Sequence, residues 1–182
     1  MIANETVTAE SNPARLRQPT QADGTAVWVL VDELGSLDRN STYAYLLLCR
    51  DFSETCILAE DGGSGALLGF IMGYRLPAQP DTVFVWQVAV SEKARGQGLA
   101  SRLLDGLLLS DGCRGVRYLE STVTPSNTAS RALFGALARR LDTKLVESSG
   151  FPAESFPTGD HEPEPRLRIG PFDAARLRNA AR

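Results

Sequence analysis

The stretch from Phe84 to Ala100, FVWQVAVSEKARGQGLA, constrains this chain more than any other. Phe84, Val85, Trp86, Val88, Ala89 and Val90 form an almost unbroken run of aromatic, β-branched and small residues, which suits a strand covered on both faces inside a sheet. Gln87 alone interrupts it. Downstream, Leu99, Leu103, Leu104, Leu107 and Leu108 recur with the spacing of one apolar helical face. Between strand and helix lie Ser91 to Ala94 and then Arg95-Gly96-Gln97-Gly98, so the glycines stand where a loop becomes a helix. A helix start collects unpaired backbone N–H groups and the positive end of the dipole, and glycine lets an anion reach them with no Cβ in the way. The stretch predicts a phosphate cradle.

Two other phosphate motifs come close. Gly96-x-Gly98-x-x-Ser101 approaches the dinucleotide fingerprint, with Glu120 about twenty residues on, where a ribose-binding acid would stand. In that fold, however, the glycine turn follows its strand directly, whereas Ser91 to Arg95 separate Val90 from Gly96 here. The P-loop pattern fails because no Lys-Ser or Lys-Thr follows the glycines.

At 182 residues the chain suits one domain with a proper core. The net charge of −3 and the lack of aromatics among the basic clusters give no footprint for nucleic acid. No run is long and apolar enough to span a bilayer, and the N-terminus has no charged-then-apolar signal. Cys49, Cys56 and Cys113 are odd in number and lack metal-ligand spacing, which fits reduced, buried thiols in the cytoplasm and no metal site.

In order along the chain, residues 1–14 are polar and patternless and are expected to be a disordered leader. Residues 15–172 are expected to form the domain, with 173–182 as a tail. Arg15 to Pro19 suits a short strand, and Asp23 suits the N-cap of a helix broken at Gly35. A helical segment follows, from about Leu37 to Phe52. Thr55 to Glu60 and Ala66 to Arg75 read as strands around the turn Asp61 to Gly65, with Pro77 and Pro80 closing the second before the Phe84 strand begins. Arg117 to Val123 reads as a strand parallel to the Phe84 strand, and a helix starts near Pro125 to Asn127. Beyond Ser148 only Arg166 to Ile169 reads as a strand.

The compound pattern of buried strand, connector, Arg95-Gly96-x-Gly98-x-Ala100 and amphipathic helix resembles the acetyl-CoA signature of the GNAT superfamily of N-acetyltransferases. That resemblance implies an α/β (α+β) GNAT acyl-CoA N-acyltransferase fold, a mixed central sheet flanked by helices. It implies acetyl-CoA as co-substrate, with the pyrophosphate held by Arg95, Gly96, Gln97, Gly98, Leu99 and Ala100 and the pantetheine arm paired with Val88 and Val90. Asn127 matches the superfamily's CoA-contacting Asn, with Ser130 beside it. Where many members carry a Tyr that protonates the leaving thiolate, this chain has Phe134, which has no proton to give.

Four further segments, LDRNSTYAYLLLCRDF (Leu37 to Phe52), FVWQVAV (Phe84 to Val90), LESTVTPSN (Leu119 to Asn127) and HEPE (His161 to Glu164), resemble the L-2,4-diaminobutyrate acetyltransferases of ectoine biosynthesis. This implies acetyl transfer to the 4-amino group of L-2,4-diaminobutyrate by direct attack on the thioester, in a cytoplasmic homodimer. Acceptors of another kind, a different small amine or amino acid, share the fold and the CoA motif. So does a non-catalytic sensor of acyl-CoA.

A free alkylamine has a pKa near ~10.4, so about one molecule in 10³ is nucleophilic at neutral pH. A positioned base contributes about 10²–10⁴-fold, comparable to that deficit. A diamino acid carries two ammonium groups and one carboxylate, so its pocket should present acids and acceptors. Asp38, Asn40, Tyr43, Trp86, His161 and Glu164 are the candidates for holding it. Asp38 suits a helix cap equally well, Trp86 suits plain core, and the lone His161 suits a surface role. Tyr43 and Tyr45, two apart, do not share one helix face, so at most one lines the pocket. Glu120, an acid in an otherwise apolar strand, is the candidate base, with an ion pair to Arg117 as its structural alternative.

Overall fold

A computed structural model describes residues 13–35, 40–157 and 161–180. Among them, seven strands form one sheet in the order β1-β2-β3-β4-β5-β7-β6. The strands are β1 (Arg15–Arg17), β2 (Cys56–Glu60), β3 (Leu67–Leu76), β4 (Gln79–Val90), β5 (Tyr118–Thr122), β6 (Leu145–Phe151) and β7 (Glu164–Ile169). The helices are α1 (Gly24–Leu34), α2 (Thr42–Asp51), α3 (Leu99–Leu108), α4 (Thr128–Arg140) and α5 (Ala175–Ala180). Only the β4–β5 pairing is parallel.

Two apolar layers cover the sheet. Val27, Leu30 and Val31 of α1 and Tyr45 and Cys49 of α2 pack on Leu58, Phe70 and Met72. On the other face the leucines of α3 and Phe134 and Leu137 of α4 pack on Ile57, Ile71, Val83 and Val85. Two helix boundaries follow the expected signals, whereas Asp23 stands at the start of α1 without capping it, because its carboxylate accepts from Thr20 N and from Arg17 instead. Gly35, at φ 58°, stops α1 because the left-handed region suits a residue with no Cβ. Asn127 caps α4 by accepting from Ser130 N at 3.0 Å.

Three expectations are corrected. Pro80 does not precede the Phe84 strand but lies inside it, because β4 begins at Gln79 in a hairpin with Leu76 and the proline sits at its exposed start. β6 pairs with β7 at the edge of the sheet where irregular chain was expected. Of the expected tail, the described residues 173–180 are more than a tail, since α5 buries Leu177 in the α3–α4 layer. Of the expected leader, residues 1–12 lie outside the described residues.

Two features of β4 build the site. Its parallel pairing with β5 covers only Thr82↔Tyr118, Val83↔Leu119 and Phe84↔Glu120, and beyond these pairs the two strands part. Opposite β3, the register jumps from Met72↔Gln87 to Gly73↔Val85, which leaves Trp86 as an extra, bulged residue. The bulge resets the alternation of faces. Val83 and Val85 before it, and Val88 and Val90 after it, all pack toward the α3 layer, whereas Trp86 packs toward the α1–α2 layer.

Candidate active site

Where β4 and β5 part, two cavities meet. One, of about 590 Å³, is lined by Trp86, Gln87, Thr122, Phe134, His161 and Glu164, with Asn40, Tyr74 and Phe84 also on its wall. The other, of about 790 Å³, is lined by Val88, Val90, Arg95, Ala100, Ser126 and Leu133, among others. Val88, Thr124, Asn127 and Ser130 line both, so the two join along the split. Both volumes fall in the ~300–1,000 Å³ range of small-molecule sites.

The larger cavity ends at the glycine loop. Gly96 and Gly98 sit at φ 74° and 73°, and an added Cβ at either would meet no atom within 4 Å. The glycines are therefore required by backbone conformation and leave open space above the loop. Gly98 is the N-cap of α3, which has no side-chain cap, so the first N–H groups of that helix face the loop without a competing side-chain acceptor. Arg95 brings a guanidinium to the cavity wall, about half exposed and 3.6 Å from the Glu92 carboxylate. A pyrophosphate fits these donors.

The smaller cavity has an acidic end. Thr122 Oγ1 donates to Glu164 Oε2 at 2.5 Å, and His161 Nε2 lies 3.7 Å from Glu164 Oε1. The imidazole is stacked on Phe156 with centroids 3.7 Å apart, and its Nδ1 lies 2.6 Å from the Glu162 carbonyl oxygen. A carbonyl can only accept, so Nδ1 carries a hydrogen and Nε2 is the nitrogen turned to Glu164. From the same segment Glu162 reaches Ser126, accepting from its N–H at 3.1 Å.

The arrangement is an open cleft along one strand, with anion donors at one end and a carboxylate–imidazole pair at the other. Residues 25–138 match the family described as Acetyltransferase (GNAT) family. The chain is 48% identical over 155 residues to the L-2,4-diaminobutyric acid acetyltransferase of Marinococcus halophilus, covering 85% of this chain and 88% of that protein. It is 45% identical over 171 residues to the protein of the same name from Streptomyces coelicolor, covering 92% and 99%. Among solved structures it is similar to the diaminobutyrate acetyltransferase EctA of Paenibacillus lautus, in complex with L-2,4-diaminobutyric acid and coenzyme A. That likeness has TM-score 0.85 and 46% identity, and covers 89% of this chain and 97% of that one. The chain belongs to the diaminobutyrate acetyltransferases of the GNAT family.

In this GNAT acetyltransferase several expected residues do meet at the split. Val88, Val90, Arg95, Ala100, Asn127 and Ser130 line the glycine-loop cavity, and Asn40, Trp86, His161 and Glu164 line the acidic one. Asn127 spends its Oδ1 on capping α4, so what it offers a ligand is Nδ2. Asp38 lies outside the described residues.

Other expectations change. Leu99 turns its side chain into the core, where it is 4% exposed, so it can contribute only its backbone. Gln97 is on the exposed loop, donating to the Lys93 carbonyl oxygen at 3.0 Å. Tyr43 is 68% exposed and is not among the described residues lining either cavity, because α2 turns Tyr45 and not Tyr43 to the sheet. Glu120, the expected base, is 3% exposed and ion-paired with Arg168, with Arg166 4.0 Å away. Arg168 also covers the Tyr118 ring at 4.0 Å. Glu120 is not among the cavity-lining residues, and the structural alternative holds with Arg168 in place of Arg117.

Sequence reasoning missed Thr122, Tyr74 and Phe156. Thr122 lay within a quoted segment, and its polar side chain next to Val123 was the available signal. The cysteines lie outside the site. All three are buried and free, and burial pushes the thiols of Cys49, Cys56 and Cys113 up to about 11, 12 and 11. None is a thiolate at neutral pH.

Proposed function

We infer that this enzyme transfers acetyl from acetyl-CoA to the 4-amino group of L-2,4-diaminobutyrate. The observation that carries this is the joined pair of cavities along the β4–β5 split, which gives a thioester and an amine one meeting place near Val88 and Asn127. The 46% identical EctA structure, with diaminobutyric acid and coenzyme A in it, supports the same pairing of ligands.

The phosphates of CoA take the Arg95 to Ala100 loop, and the pantetheine arm lies along Val88 and Val90, whose backbone has no β5 partner beyond Phe84. The amine enters from the Glu164 end. Glu164 takes one ammonium proton, held in place by Thr122 and with His161 as its neighbour. The freed nitrogen attacks the thioester carbon, the C–N bond forms and the C–S bond breaks. The nitrogen gives its second proton to solvent and the thiolate takes one from solvent, so that the proton first taken by Glu164 is the one released overall. No acyl-enzyme is formed, in keeping with cysteines that are buried and protonated. The same reading places the reaction in ectoine biosynthesis under osmotic stress, in the cytoplasm and in a homodimer.

The test is thiol release from acetyl-CoA against a panel of L-2,4-diaminobutyrate, ornithine, lysine and simple diamines, with the product's acetyl position read by NMR. Diaminobutyrate should exceed lysine and ornithine by at least tenfold in kcat/KM, with the acetyl on N4. Equal rates would reassign the acceptor, and CoA binding without thiol release from any amine would make the chain a sensor.

A further inference from the structure

The bulge at Trp86 has a consequence for α2. In a regular strand Trp86 and Gln87 would face opposite sides of the sheet, but the extra residue turns both toward the α1–α2 layer. There one residue meets them both. Tyr45, at 0% exposure, donates from its hydroxyl to Gln87 Oε1 at 3.0 Å, and its ring lies 5.6 Å from the Trp86 ring at an interplanar angle of 41°. Both of its partners line the cavity that ends at Glu164.

We propose that Tyr45 is a positioning residue for the acceptor amine: from beneath the bulge it sets the rotamer of Trp86 and fixes which end of the Gln87 amide turns toward the cavity. With Oε1 held by the Tyr45 hydroxyl, the end of that amide turned away from Tyr45 is Nε2, a donor. The ring contact supports one face of the Trp86 indole, and the indole is the cavity wall next to the acceptor. Tyr45 itself lines neither of the two cavities, so its action on the amine passes through these two side chains. The α3 face, where Val88, Val90 and the glycine loop hold the CoA end, is a separate layer of the core. Loss of the hydroxyl should therefore be felt by the amine and not by acetyl-CoA.

The inference rests on the smaller cavity being the acceptor site. Wild-type turnover of the amine panel reports on that reading, and the ratio of variant to wild type, with whichever amine wild type uses best, reports on this one. Tyr45→Phe keeps the ring and removes the hydroxyl. It should raise KM for the amine at least threefold and leave KM for acetyl-CoA within twofold. In a Gln87→Met background the same substitution should add less than twofold, because its partner is already gone. Gln87→Met alone should reproduce the rise in the amine's KM, and it remains a test should Tyr45→Phe fail to fold by circular dichroism. A smaller rise in the amine's KM, an equal rise for both substrates, or an undiminished effect in the Gln87→Met background would each overturn the proposal.

Discussion

Thr122 Oγ1 donates to Glu164 Oε2 at 2.5 Å, and this bond ties the last residue of β5 to the first residue of β7. It fixes one carboxylate oxygen and leaves the other toward His161. The acid of the smaller cavity is thus held by the sheet itself, between two strands that end at the cleft.

Glu164→Gln keeps the shape of that side chain and removes its charge. We expect kcat/KM for the amine to fall by roughly 10²–10⁴-fold, the usual contribution of a positioned base. KM for acetyl-CoA should stay within twofold. Steady-state thiol release at fixed pH measures both, and a fall of less than tenfold removes Glu164 as the proton acceptor.

Glu120→Gln should behave differently. Its carboxylate neutralises Arg168 across the β5–β7 pairing and is not among the residues lining the cavity, so the substitution leaves a partly exposed guanidinium without its charge partner. Breaking a fully buried pair costs about 3–5 kcal/mol, and the partial exposure of Arg168 reduces this to about 1–2 kcal/mol. Urea denaturation should show that loss, while kcat of the folded enzyme stays within threefold.

Gly98→Val forces a β-branched residue to φ 73° in a place where a Cβ meets no neighbouring atom. The folding cost is the backbone strain alone, about 1–3 kcal/mol. On the proposed placement of CoA, binding suffers more, because the new side chain stands where the pyrophosphate would approach the loop amides. Calorimetric titration with CoA should show at least a tenfold weaker Kd.

Asp23 is held at about 2, well below its ordinary 3.8, first by the hydrogen bond from Arg17, with further help from Thr20. A folded value below the unfolded one means that the stabilisation is complete above about pH 4 and fades as pH falls toward 2. Asp23→Asn should therefore cost about 1–2 kcal/mol at pH 7, after discounting for solvent screening at a partly exposed pair, and almost nothing at pH 2. Chemical denaturation at the two pH values checks it.

Much of this fold was legible because its signals are local. The apolar spacing of Leu99 to Leu108 gave α3, the dense apolar run gave β4, and the glycines gave the loop whose positive φ values only they adopt easily. β6 was illegible because an edge strand with exposed Val146, Glu147 and Phe151 shows no buried face. The partner of Glu120 could not be read either, since Arg168 stands beside it only through the antiparallel pairing of β5 with β7. Local reasoning offered the nearer Arg117. The choice between Tyr43 and Tyr45 needed the phase of α2, which the sheet beneath it sets and the helix alone does not. The bulge at Trp86 left no mark that a single strand could show, because it is a mismatch between two strands.

The burial of Cys49, Cys56 and Cys113 decides how cleanly the enzyme can be watched at work. A disulfide reagent added to the native protein finds no reactive protein sulfur, so colour develops only as coenzyme is set free, and turnover can be followed continuously without a correction for the catalyst. The same reagent serves as an alarm. A burst of uptake before any amine is added counts molecules whose core has opened.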